Sequence, residues 1–310
     1  MKQLLGLLIT IPFLLSLNTP VKRKPIKVLI IDGYSNHDWK QTTKLVKAIL
    51  EEAKMFKVAV STAPDSMDDS IAWQNWNPVF KDFDVVIQNT NNYQNKKLRW
   101  PTRVEEALES YVRNGGGLYI LHSANNAYPH WLDYDTMMGL GWRPKAYGYT
   151  VEIDSNHQII KLPPGTGGDT HHGKRFTAAI HVLEKHHPIC KGFPEVWLTP
   201  SMELYNYVRG PFANTTVLSY ATDSTNKHNF PVEWVVKYGN GRVYNSSMGH
   251  LWKGETYPIS YRCWGFQTII IRATEWLATG KTTYSLPKDF PCQKNISVRN
   301  EADFPKEPTD

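Results

Sequence analysis

Lys27–Gly33 reads KVLIIDG, a short unbroken apolar run that stops at Asp32-Gly33. Strict alternation would mark a strand with one wet face. Continuity marks a strand buried on both faces. Outward from it, Lys40–Lys54 places Leu45, Ala48, Ile49 and Ala53 on one helical stripe, and Val58–Thr62 reads as a second strand. Asp84–Ile87 (DVVI) reads as a third strand, running into the polar cluster Gln88–Asn92. Pro101 suits a first helical turn before the stripe Val104, Leu108, Tyr111 and Val112. Asn114-Gly115-Gly116 ends that helix, and Gly117–His122 (GLYILH) is a fourth strand. Strands and helices alternating at this rhythm predict an α/β fold with a mostly parallel central sheet and right-handed crossovers.

The second half is less regular. Residues 139–175 are rich in Gly, Pro and polar groups and read as a long excursion over the sheet. Strand-like runs follow at 176–183, 204–208, 217–220, 232–236 and 242–245, then a helix over 266–278. From 283 to 310 the chain is a polar, Pro-containing tail that wraps the surface or frays. Nothing splits the chain, so 26–282 is read as one domain.

Composition narrows the function classes. The 310 residues carry 35 Lys+Arg against 29 Asp+Glu, a net +6. The basic residues are scattered, apart from Lys22, Arg23, Lys24 and Lys27, which argues against a nucleic-acid groove. Apolar residues at 41% and charged ones at 21% fit a globular chain, not a disordered one. Met1-Lys2 and the apolar run 4–17 resemble a secretory signal over 1–20, so export to a periplasmic or extracellular space is expected, as a soluble chain not held in a membrane. An oxidising compartment permits one disulfide among Cys190, Cys263 and Cys292, and no CxxC spacing supports a structural zinc ribbon. Asn214, Asn245 and Asn295 begin Asn-x-Ser/Thr sequons.

Ligands of open α/β sheets bind beyond the carboxyl ends of the strands. That rule selects His37 and Trp39 after the first strand, Asn89 and Asn91 after the third, His122, Ser123 and Asn125 after the fourth, and His250 and Trp252 after the last. Three histidines on one rim give candidate bases that titrate near neutral pH. They could also share a divalent ion such as zinc (His37, His122, His250), although no cofactor is demanded. Glu203, alone among apolar and aromatic neighbours, is read either as a paired or shifted carboxylate or as a surface acid at a strand start. His171-His172 and His186-His187 lack the HExxH or HxH spacing that puts two imidazoles on one ion, and a structural role is expected at His187-Pro188. Ser123 beside His122 is not a triad by adjacency alone.

These motifs together resemble the ThuA-like family, of the trehalose-utilisation type. The resemblance is carried by His37-Asp38-Trp39, by Tyr111-Val112 through Gly115-Gly116-Gly117-Leu118 into Leu121-His122-Ser123-Ala124, and by His172-Gly173. It continues through His187-Pro188-Ile189, Glu203-Leu204-Tyr205, Arg209-Gly210-Pro211, Tyr238–Val243, Gly249-His250, Arg262-Cys263 and Glu275-Trp276. It implies a flavodoxin-like fold of the class I glutamine amidotransferase type, with helices on both faces of the sheet. The nucleophilic Cys of that class is missing from the turn after the fourth strand, so no glutaminase activity is expected. Sugar metabolism is implied, on a disaccharide, glycoside or 3-keto-sugar, by hydrolase- or lyase-type chemistry. In that reading His122, His250 and Glu203 are catalytic, and His37, Trp39, Asn89, Asn91, Ser123, Asn125, Tyr205 and Trp252 bind substrate. Met202 and Thr199 depart from the family pattern, which has an Asp and a His there. The alternatives are a non-catalytic carbohydrate-binding protein stacking sugars on Trp39, Trp131, Trp142 and Trp252, or a protein that docks a sugar oxidoreductase through 139–175. A homo-oligomer is also compatible.

Overall fold

The computed structural model describes residues 24–305. The signal reading over 1–20 and the last five residues of the tail lie outside them. In chain order the elements are β1 (Ile26–Asp32), α1 (Trp39–Glu52), β2 (Phe56–Thr62), α2 (Ser70–Asn75), β3 (Val85–Gln88), α3 (Thr102–Arg113), β4 (Gly117–Leu121) and α4 (Leu132–Met138). Then come β5 (Tyr149–Ile153), β6 (Ile159–Leu162), β7 (His171–His172), β8 (Phe176–Val182), β9 (Val196–Met202), β10 (Tyr205–Asn206) and β11 (Arg209–Gly210). The chain closes with β12 (Thr215–Thr222), β13 (Asn229–Tyr238), β14 (Gly241–Ser246), α5 (Ile259–Arg262) and α6 (Trp264–Thr279).

The main sheet runs β2-β1-β3-β4-β14-β13-β12-β8-β9. The first five strands are mutually parallel, in the order of a doubly wound flavodoxin-like sheet. From β14 onward every pairing is antiparallel. The expected parallel sheet is therefore the core half of a larger mixed one. Alternation along β1 explains the two layers. Val28 and Ile30 pack with Leu45 and Ile49 of α1 and Ile269 and Ile270 of α6. Leu29 and Ile31 face the other way, with Val104 and Leu108 of α3 and Tyr134 of α4.

Helix ends follow their local chemistry. Asp38 caps α1 by accepting from the Gln41 amide at 3.0 Å. Pro101, expected inside the first turn of α3, sits one place earlier, at its N-cap. Gly280 ends α6 in the left-handed conformation, at φ +72°. The excursion 139–175 is not structureless. It contains the β5–β6 hairpin, hung on β11 and β13, and it contains β7. Of the expected strand 204–208 only β10 forms, β11 lies just beyond it, and β9 is a strand the sequence reading does not contain. The three cysteines are unpaired, Cys190 and Cys263 buried and Cys292 exposed. Asn245 is fully buried in β14, which leaves that sequon inaccessible. The tail wraps the surface as far as it is described: Val298 bridges to Cys263, Arg299 pairs with Glu52, and Phe304 is buried.

Candidate metal centre

Three parallel-strand ends and one loop from the antiparallel half converge. His37 follows β1, His122 follows β4, His250 follows β14 and Glu203 follows β9. One ligand atom from each lies within 4.8 Å of every other, and all four side chains are buried. Ligands held about 2.0–2.2 Å from a single ion can stand at most about 4.4 Å apart, so side-chain shifts of roughly half an ångström would close this set.

The backbone builds the convergence. His122 takes φ +42° at the turn after β4. Gly249 lies behind it at φ +111°, where a Cβ would stand 3.3 Å from His122 Cβ and 3.2 Å from Leu121 Cδ1. The Asp38 amide donates to the Leu251 carbonyl at 3.1 Å, tying the loop that carries His37 to the loop that carries His250.

Outer hydrogen bonds fix which nitrogens face inward. His122 Nδ1 donates to the Ser247 carbonyl at 2.7 Å, so Nε2 carries the lone pair. His37 Nδ1 is 3.0 Å from the Asn36 amide oxygen, and its buried Nε2 has no hydrogen-bond partner. In His37 one ring nitrogen is held by an oxygen and the other is left bare, which is how metal-binding imidazoles are oriented. His250 Nε2 lies 2.8 Å from Glu203 Oε2, yet the angles do not make a hydrogen bond, and both His250 nitrogens stay unpartnered. Buried polar atoms without partners are rare and call for an explanation. Burial, and then the neighbouring imidazoles, push the His37 pKa down to about 3 and that of His122 well below its ordinary value. Both rings are therefore neutral near pH 7, the form that ligates.

The surroundings sort the other candidates. The Tyr205 hydroxyl is 3.0 Å from His122 Nε2. Trp252, 44% exposed, stacks on His37 with centroids 4.8 Å apart, so it roofs the centre. Asn125 is fully buried beneath, its Nδ2 donating to the Ser246 carbonyl at 3.3 Å and its Oδ1 unpartnered. Asn89 and Asn91 do not present free amides to a substrate. Asn89 Nδ2 donates to the Trp39 carbonyl and Thr43 Oγ1, and Asn91 Nδ2 to Ser35 Oγ and Asn36 Oδ1. They brace the loops after β1 and β3. Ser123 is buried against Ser35, with oxygens 3.3 Å apart. Trp39 faces a different cleft, with Gly33, Thr62 and Trp76. Trp131, a candidate stacking surface, is core, packed against Trp100, Tyr128 and Tyr134. Thr199 and Met202 are buried beside the cluster and are not members of it.

His172, whose doublet lacks the spacing of a two-imidazole metal motif and which is not among the candidate site residues, lies beside the cluster. Its Nε2 is 3.5 Å from Glu203 Oε1, and its side chain is 38% exposed. The two-residue ladder of β7 with β10 sets it opposite Tyr205. The remaining members of the doublets lie elsewhere; His187, for instance, packs on Trp276. A hollow of about 630 Å³ is remote from this chemistry, against Phe83, Tyr111 and Gly115 at the amino ends of the strands.

A five-strand parallel core covered on both faces, with its polar centre beyond the carboxyl ends, defines a flavodoxin-like protein of the glutamine amidotransferase-like class. The family described as trehalose utilisation, ThuA, matches residues 27–277, and the chain belongs to that family. It is similar to a ThuA-like protein from Parabacteroides merdae ATCC 43184, at 32% identity and TM-score 0.81, over 89% of this chain and 98% of that one. A ThuA-like protein from Bacteroides uniformis ATCC 8492 shares the fold at 17% identity and TM-score 0.56, over 86% and 97%. Among curated proteins none matches. Membership associates the chain with sugar metabolism.

Proposed function

We propose that the protein acts on a carbohydrate, a disaccharide, glycoside or 3-keto-sugar, at a divalent-metal centre formed by His37, His122, His250 and Glu203. The observation that carries this reading is the unspent coordination capacity of the cluster: bare imidazole nitrogens facing one buried carboxylate. A bound ion such as zinc would polarise a sugar carbonyl or acidify a water. The chain's own residues do the rest. Ser247 and Asn36 hold the imidazoles in the ligating tautomer. Tyr205, its hydroxyl directed at His122, is placed to donate a hydrogen bond to an oxygen that displaces that contact. Half-exposed His172, 3.5 Å from Glu203 Oε1, connects Glu203 to the solvent side of the centre. Trp252 restricts access from outside. Among the described residues no helix is long and apolar enough to cross a membrane. Export, by way of the leader, is part of the same proposal.

Calorimetric titration of the purified, chelator-stripped chain with Zn²⁺ tests the centre. One ion per chain is expected, with affinity reduced at least tenfold by His250→Ala or Glu203→Gln. A panel of glycosides and 3-keto-glycosides should show turnover that a chelator abolishes and added zinc restores. Absence of metal binding by the unaltered chain sinks the centre. Stoichiometric metal and saturable sugar binding without turnover replaces catalysis by carbohydrate binding.

A further inference from the structure

The four candidate ligands are between 2% and 6% exposed, so the closed structure leaves little surface through which an ion or a substrate could reach them. His172 stands at the rim. Trp252 covers the top, its ring flat on His37 at 4.8 Å and edge-on to His250 at 4.9 Å.

Trp252 begins a short segment whose ends are fixed and whose middle is loosely held. At one end Leu251 is buried, and its carbonyl accepts the Asp38 amide at 3.1 Å. At the other, Tyr257 packs against Phe304 with centroids 5.4 Å apart, and its carbonyl accepts from Arg262 Nε at 3.2 Å. Between them Lys253, Gly254 and Thr256 are exposed. Gly254 takes φ +92°, and a Cβ there would meet nothing within 4 Å. Such a stretch can swing without repacking a core, with the backbone change absorbed at a residue that has no side chain to clash.

Apart from the indole, its attachments are polar. Glu255 grips in two directions: Oε1 accepts from Arg175 Nη1 at 2.8 Å, and Oε2 accepts the Trp252 amide at 2.9 Å. The Thr256 carbonyl accepts from Gln41 Nε2 on α1. Arg175 follows His172 in the stretch between β7 and β8, so the ion pair ties the cover to the rim. Its two side chains are 33% and 30% exposed. An ion pair that meets water is weak, opens readily and is screened by salt.

We infer that Trp252–Thr256 is a lid over the centre, latched by Glu255 on Arg175, and that its opening admits the ion and the substrate. The inference rests on the metal-centre reading and adds how access to that centre is controlled. Arg175 and Glu255 act on the lid and touch no ligand atom of the centre.

Stopped-flow kinetics on the full chain test it, with the zinc ion as the probe. Uptake is followed by competition with a fluorescent indicator, and release by mixing the loaded chain with excess chelator. Arg175→Ala should speed uptake and release alike, by about threefold or more, in keeping with an exposed pair. Glu255→Ala, which also frees the Trp252 amide, should speed both further. Affinity should change less than about twofold in each variant, because a gate moves both rates together. Lys253→Ala, on the same segment, should leave both rates alone. Raising salt from about 0.05 M to about 0.5 M should speed release from the unaltered chain and not from Arg175→Ala. Rates unchanged in both latch variants overturn the lid while the metal centre stands. Faster release with unchanged uptake overturns it too, since the pair would then only stabilise the ligands. A chain that takes up no zinc overturns the centre itself, and the lid with it.

Discussion

At the scale of single residues, the centre depends on a glycine that ligates nothing. Gly249 permits the close approach behind His122 at a positive φ that a side chain tolerates poorly. Gly249→Ala should destabilise the chain by about 1–3 kcal/mol, the cost of a strained backbone angle, and should also weaken zinc binding by displacing His122. Urea unfolding and metal titration of one preparation measure both. A variant that lost stability with zinc affinity intact would show that the glycine serves packing alone. Sequence reading found His37, His122 and His250 because strand ends announce themselves as apolar runs meeting polar residues. For Asn89 and Asn91 the structure shows Nδ2 groups bonded within the loops after β1 and β3, because an amide at a strand end serves a neighbouring loop as readily as a ligand. Sequence reading passed over His172 because a two-residue strand has no periodicity, and the pairing with Tyr205 spans a long stretch of chain.

At the scale of elements, β13 buries an acid with no cationic partner. Glu233 accepts from Ser219 at 2.6 Å and Tyr244 at 2.5 Å, but burial dominates and raises its pKa above the ordinary 4.5. A carboxyl raised in the folded state contributes stability that is complete below about pH 4.5 and is lost as pH climbs through the folded pKa. Glu233→Gln should therefore leave stability unchanged at pH 4 and raise it relative to the unaltered chain at pH 8, as read from melting temperatures across that range. An equal shift at both pH values would contradict the linkage. The parallel half, β1 through β4, was legible because strands covered on both faces are written as continuous apolar runs. The antiparallel half was less so. Ile159–Leu162 lies largely exposed on an outer hairpin, and only its pairing with β5 makes it a strand.

At the scale of the whole molecule, the described end of the chain is part of the core and not an appendage. Phe304 is 2% exposed within the cluster that includes α1 and α6, and the Glu275 carboxylate accepts from the Thr283 and Tyr284 amides to start the return path. Phe304→Ala should lower unfolding free energy by about 3 kcal/mol, the lower end for a buried phenylalanine, without altering zinc stoichiometry. Chemical denaturation checks this, and a change under about 0.5 kcal/mol, the usual range for surface positions, would mean the ring is not anchored. The seam where β14 turns the sheet from parallel to antiparallel has a further consequence. His37 and His122 belong to one side of it, Glu203 to the other, and His250 leaves from the seam strand itself. A ribosome must therefore have released both regions before the four groups can meet. Truncated products ending before Gly249 would lack His250 and could not complete the four-residue set, however well their first strands had assembled.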